Sequence, residues 1–149
     1  MRILLQFPEG LKRHASEYAE KLEKGGNEVF LVARATYGAC DLAIEEAKAI
    51  GAEKIIHFGH NRYMKSNPGI EVEYVPWKID IDVSVFDGFA KMLKEKGAKT
   101  IGLTTTIQHI HQLSEMKKLF EKNGIKALTK KGKIAIGEGQ VLGCDASAL

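Results

Sequence analysis

Short apolar runs alternate along this chain with stretches whose apolar residues recur every three to four positions, and no other feature restricts its fold as much. RILLQF (2–7), EVFLVA (28–33), KIIHFG (54–59) and VEYVPW (72–77) have the length and make-up of strands. Between the first two, PEGLKRHASEYAEKLEKGG sets Leu11, Ala15, Tyr18, Ala19 and Leu22 on one helical stripe, and a glycine pair stops it. Pro8 suits the first turn of that helix, where its missing N–H costs nothing. DLAIEEAKAIGA reads as a second helix ending at Gly51; VFDGFAKMLKEKGA reads as a third, interrupted by Gly88 and closed at Gly97. Nearly all-apolar strands that alternate with helices demand right-handed crossovers and a parallel sheet covered on both faces.

The same order then begins again. TIGLTTTIQ takes the place of RILLQFPEG, HQLSEMKKLFEKNG that of the first helix, and IKALTK that of the second strand. ATYGACDLA (35–43) finds its counterpart in GQVLGCDASA (139–148). Arg2 and Cys40 lie 38 residues apart, Thr100 and Cys144 lie 44 apart, and one loop insertion accounts for the difference. A repeat of this length changes the expected fold. It becomes an α/β protein of repeated Rossmann-like units with parallel sheets, one complete (1–98) and one incomplete (99–149). In the first copy the cysteine is followed by helix, strand, strand and helix; in the second, five residues follow it. Half a unit leaves sheet surface and a strand edge uncovered, so the expectation is a truncated form of a longer protein.

At 149 residues the chain can bury one sizeable core, or one small domain and part of another. Its 22 basic and 19 acidic residues leave a net charge of +3, spread rather than clustered. That pattern suits a solvated Lys- and Glu-rich surface and gives no footprint for nucleic acid. No apolar run reaches 18 residues, and the N-terminus opens a strand, so neither a membrane nor a secretory signal is expected and the location is read as cytoplasmic. In a reducing compartment two cysteines are free, metal-bound or catalytic rather than paired.

Both cysteines follow the second strand of their copy, where the chain is expected to turn into a helix. Ligands of parallel α/β sheets bind outside the carboxyl ends of the strands, and a helix N-terminus there favours thiolate. A single such cysteine reads more simply as a small core residue; its recurrence favours a metal ligand or nucleophile. Other polar residues collect at the same expected edge: Gln6, Glu9 and Gly10, then His57 and His60, then Thr104, Thr105, Thr106, Gln108, His109 and His111. Each has a simpler role open to it, His57 as a hydrogen-bonded core histidine, the threonines as strand formers, His109 and His111 as surface or capping groups. Neither CxxC nor HxxxH occurs, which leaves zinc only a site built from distant elements.

With LQFPEGL (5–11), TYGACDLA (36–43), HFGH (57–60), TTIQHIHQL (105–113) and GQVLGCD (139–145) in this order, the chain resembles the diphthamide synthesis enzymes, the 2-(3-amino-3-carboxypropyl)histidine synthases, as found in archaea. The resemblance covers essentially all of it. It implies three related α/β domains in a homodimer, each domain giving one cysteine to a 4Fe-4S cluster. It further implies that S-adenosylmethionine is cleaved between sulfur and the methionine γ carbon, with an electron donor required. The resulting 3-amino-3-carboxypropyl radical adds to a histidine of translation elongation factor 2, the first step towards diphthamide. Carried across, Cys40 and Cys144 match the ligands of the first two domains, and the third cysteine is absent from this chain. Three thiolates would leave one iron open to the amino and carboxylate groups of the substrate. From position alone, Pro8, Glu9, Gly10, Gln108 and His109 are the candidates to hold S-adenosylmethionine. The loop NRYMKSNPG departs from the family pattern. Two other readings stand beside this one, a quinolinate-synthase-like iron–sulfur dehydratase and a truncated, non-catalytic helper that binds a partner without a cluster.

Overall fold

The structure, a computed structural model, describes residues 1–62 and 68–148. It divides into two units, Met1–Trp77 and Lys78–Leu149, each with its own sheet. Much of the NRYMKSNPG loop lies outside the described residues.

In the first unit β1 (Arg2–Gln6) lies between β2 (Glu28–Leu31) and β3 (Lys54–Phe58), and β4 (Glu71–Val75) lies beyond β3. All three pairings are parallel, as the alternation required. A 3-10 turn, Glu9–His14, leads into α1 (Ala15–Lys24), while α2 (Ile44–Ala49) connects towards β3. Pro8 stands just before the turn rather than in it, with extended backbone (φ −59°, ψ 153°) and a carbonyl that accepts from the Leu11 N–H at 2.9 Å.

Strand side chains alternate between faces, and this decides what meets what. Ile3, Leu5 and Phe7 join Ile56 and Phe58 on one face, under Ala15, Tyr18 and Leu22 of α1, with the Phe7 and Phe58 rings stacked at 3.9 Å. Removing such side chains from water stabilises the sheet by about 1.5–3 kcal/mol apiece. The opposite face carries Leu4 and Ile55 against Val32, Ala43 and Ala47. Gln6 and His57 share that second face by the same alternation, and the register pairs them directly. Beyond β3, Gly59 takes φ +76°, and a Cβ there would press on Leu11 and Pro8 at 3.2 Å. A glycine at this point lets HFGH turn tightly against the end of β1.

In the second unit β5 (Thr100–Gly102) pairs in parallel with β6 (Lys126–Leu128), and α3 (Asp87–Glu95) and α4 (Leu113–Lys122) accompany them. Ala90, Phe120, Ile125 and Ala127 form its core, with Phe86, Leu93 and Ile101 against them. The third helix therefore belongs to the second unit, and the division falls after Trp77 rather than at the expected 98/99. The reason is packing: Ala90 is fully buried among second-unit side chains, and Asn123 of the α4 end donates to Asp87 at 3.0 Å. The threonine run is not a strand. Thr105 alone makes an isolated parallel bridge to Gln140, its N–H donating to the Gly139 carbonyl at 2.8 Å. Gly139 has φ +74°, and a Cβ there would stand 2.3 Å from Leu113. Among the described residues no helix is long and apolar enough to cross a membrane.

Candidate functional site

Cys40 lies in a turn at the carboxyl end of the first sheet, exposed and unpaired. The helix after it starts only at Ile44, so Cys40 is not in the first turn of a helix as the sequence suggested. The residues between are occupied otherwise. Asp41 accepts from the Arg34 guanidinium at 2.7 Å and from the Tyr37 N–H at 3.3 Å, and Arg34 also pairs with Glu46. Those carboxylates raise the Arg34 pKa, the hydrogen bond it donates to Glu46 contributing most.

Behind the turn is a buried polar chain. Gln6, fully buried, donates from Nε2 to the Thr36 hydroxyl at 3.3 Å and to the Asp41 carbonyl. Its Oε1 accepts from the Ala43 N–H at 3.1 Å and lies 3.0 Å from His57 Nδ1. A backbone N–H can only donate and a carbonyl can only accept, so the amide fits one way round. His57 must then carry its proton on Nδ1, and its Nε2, 2.9 Å from His60 Nδ1, accepts. His60 Nδ1 is accordingly protonated, and the acceptor of its neutral ring is Nε2. Burial, reinforced by the neighbouring His60, lowers the His57 pKa to about 4. Burial lowers that of His60 as well. Both rings are neutral at pH 7, and Tyr74, next across the sheet, stands with its ring 5.6 Å from His57.

Cys144 is likewise exposed and unpaired, within a tight turn where Leu142 and Asp145 exchange backbone hydrogen bonds of 3.0 and 3.1 Å. Asp145 holds the turn: its carboxylate accepts from the Ile134 N–H at 2.8 Å and the Ser147 N–H at 3.0 Å, while the Ser147 hydroxyl accepts from the Lys133 N–H at 2.8 Å. Hydrogen bonds from the Ser147 side chain and the Ile134 backbone lower the Asp145 pKa.

The other expected residues are placed as follows. Glu9 is exposed and ion-paired with Lys12, whose Nζ also donates to the carbonyls of Ala33 and Arg34 at 2.8 and 3.0 Å. Gly10 is exposed, with open space where a Cβ would be. Gln108 accepts at its carbonyl from the Ile79 N–H at 3.0 Å, and His109 Nδ1 donates to the Ile79 carbonyl at 2.9 Å. His111 meets Asp80 at 2.7 Å, and the Gln112 amide bonds both the N–H and the carbonyl of Ile81. QHIHQ thus holds the segment before α3 along its own length. Pro8, Glu9 and Gly10 gather at one sheet edge of the first unit, and Gln108 and His109 belong to the second. The chain of Gln6, Thr36 and His57 escaped the sequence reading as a network, although period-two alternation from Leu4 would have placed Gln6 inside.

Among the described residues no group of three or more His, Cys, Asp or Glu gathers into a metal cage. What the chain offers a metal is two separate, solvent-facing thiols, the donor type that iron–sulfur clusters take.

Comparison with known proteins adds the following. A family model described as "Putative diphthamide synthesis protein" matches residues 7–149. The 2-(3-amino-3-carboxypropyl)histidine synthase of Pyrococcus horikoshii is 43% identical over 98% of this chain and 43% of its own length. Subunit 1 of the corresponding synthase of Aspergillus fumigatus is 31% identical over 99% of the chain and 34% of its own length. The crystal structure of Dph2 from Pyrococcus horikoshii with a 4Fe-4S cluster superposes with a TM-score of 0.86 at 41% identity, over 99% of this chain and 44% of that one. The chain therefore spans less than half the length of these relatives.

Proposed function

Because the chain belongs to the diphthamide synthesis family, we propose that it is part of a 2-(3-amino-3-carboxypropyl)histidine synthase, transferring the 3-amino-3-carboxypropyl group of S-adenosylmethionine to a histidine of translation elongation factor 2. The observation that carries this reading is the pair of free, exposed thiols in matching Cys-Asp turns. Cys40 and Cys144 are the proposed cluster ligands, with the third thiolate coming from outside this chain. When bound, a 4Fe-4S cluster supplies a single electron for cleavage of the sulfonium and an iron without thiolate for the amino acid end of the donor. The residues of this chain provide the frame. Gln6 and the backbone of the Cys40 turn fix one thiol, Asp145 fixes the turn of the other, and the neutral His60 offers an acceptor nitrogen at the end of β3. The two units would be the first two of three related domains in a cytoplasmic homodimer served by an electron donor. Pro8, Glu9, Gly10, Gln108 and His109 remain the proposed contacts for S-adenosylmethionine.

The test uses the natural-length gene product, purified without oxygen, reduced with dithionite and given S-adenosylmethionine, with products identified by mass. Methylthioadenosine and a four-carbon amino acid fragment are expected. Deoxyadenosine, or no cleavage by iron-replete protein, would overturn the transferase reading.

A further inference from the structure

We propose that Gln6 is the positioning residue of the Cys40 turn. Its side chain is fully buried at the carboxyl end of β1, and all four of its hydrogen-bonding capacities are used. Three of the four partners belong to the turn and lie on both sides of the cysteine: the Thr36 hydroxyl before it, the Asp41 carbonyl and the Ala43 N–H after it. The fourth, His57 on β3, is the direct register partner of Gln6 and donates to the same oxygen that receives Ala43. One amide therefore ties both arms of the turn to the two central strands, and the opposed polarity of Asp41 O and Ala43 N–H keeps it from flipping. The exposed Cys40 thiol sits on a loop whose ends cannot shift independently. In the second unit the Cys144 turn is held by its own backbone pair and by Asp145, which makes it an internal control.

That the ordered thiol serves a cluster rests on the proposed function; that Gln6 orders it does not. The test attaches a nitroxide spin label to Cys40 of the full chain in a Cys144→Ser background and compares Gln6 with Gln6→Leu by electron paramagnetic resonance. A second pair carries the label on Cys144 with Cys40→Ser. The expected result is a shift of the Cys40 spectrum to its fast-motion component in Gln6→Leu, with the Cys144 spectrum unchanged. No shift at Cys40, or an equal shift at both labels, would overturn the positioning role. Should the variant not fold, proton exchange of the Gln6 side-chain amide in the unaltered protein decides. Slowing by about a hundredfold against free glutamine supports the clamp, and exchange at the free rate sinks it. Iron uptake is read separately on the unlabelled natural-length protein with both cysteines intact. If it binds no iron while the labels differ as expected, the ligand reading fails and the role of Gln6 stands. If iron binds and the Cys40 label does not respond, the ligand reading stands and the role of Gln6 fails.

Discussion

The two Cys-Asp turns hold matching places in the repeat but are secured by different chemistry. Behind Cys40 is a buried, neutral chain, Gln6, His57 and His60, in which every proton has one place. Around Cys144 the work is done by the carboxylate of the buried Asp145, which collects backbone N–H groups. The histidines follow the same division. His57 and His60 lie in and beside the first core, whereas His109 and His111 hold a segment at the edge of the second. A repeat can keep the place of a thiol without keeping the way it is fixed: a neutral amide network satisfies the buried groups in one turn and a carboxylate accepting backbone N–H groups does so in the other.

The largest effect should come from breaking the first network. Gln6→Leu strands the Asp41 carbonyl, the Ala43 N–H and His57 away from water; at about 1–3 kcal/mol for each buried unsatisfied group, urea unfolding should show a loss of at least about 3 kcal/mol. A loss under about 1 kcal/mol would mean that the turn holds itself, as the Cys144 turn does.

Acid should separate the regions next. His57 titrates at about 4 when folded and near 6.5 when unfolded. Between those values the unfolded chain binds the proton and the native one does not, so stability falls as pH drops from about 6.5 to 4 and is unaffected above that window. The full loss is about 3 kcal/mol. Comparing urea midpoints of the native protein and His57→Gln across this range isolates the contribution, and parallel curves would contradict the buried neutral tautomer.

Asp145→Asn should act locally. One acceptor oxygen becomes a donor facing backbone N–H groups, so amide exchange should accelerate at Ile134 and Ser147 while residues 36–43 keep their rates. Because the Asp145 pKa is lowered, its contribution is complete above the ordinary carboxyl value and fades as pH falls through the folded one. Exchange that spreads to the first sheet would break the comparison. The smallest change is expected for His111→Ala. Its partner Asp80 is 89% exposed, and surface pairs of this kind contribute well under about 1 kcal/mol. A loss as large as that of Gln6→Leu would place the QHIHQ segment on a level with HFGH.

Much of this was legible in the sequence, for identifiable reasons. Strands at 2–7 and 54–59 are too apolar to be anything but buried, and that pointed to the parallel sheet, though not to its strand order. The recurrence of Cys-Asp marked the two turns. The pairing of Gln6 with His57 could not be read, since it depends on register between strands 51 residues apart. Nor could the allegiance of α3, whose apolar stripe says that it packs but not against what. The helix expected straight after Cys40 starts only at Ile44, with the Ala43 N–H before it donating to Gln6 Oε1.

The most direct test of the account is the iron and sulfide content of the natural-length protein and its Cys40→Ala and Cys144→Ala variants, purified side by side without oxygen. The account predicts an iron-containing, brown parent protein and a loss of iron in both variants. Full iron in either variant would remove that cysteine from the ligand set and the proposed common purpose of the two turns with it.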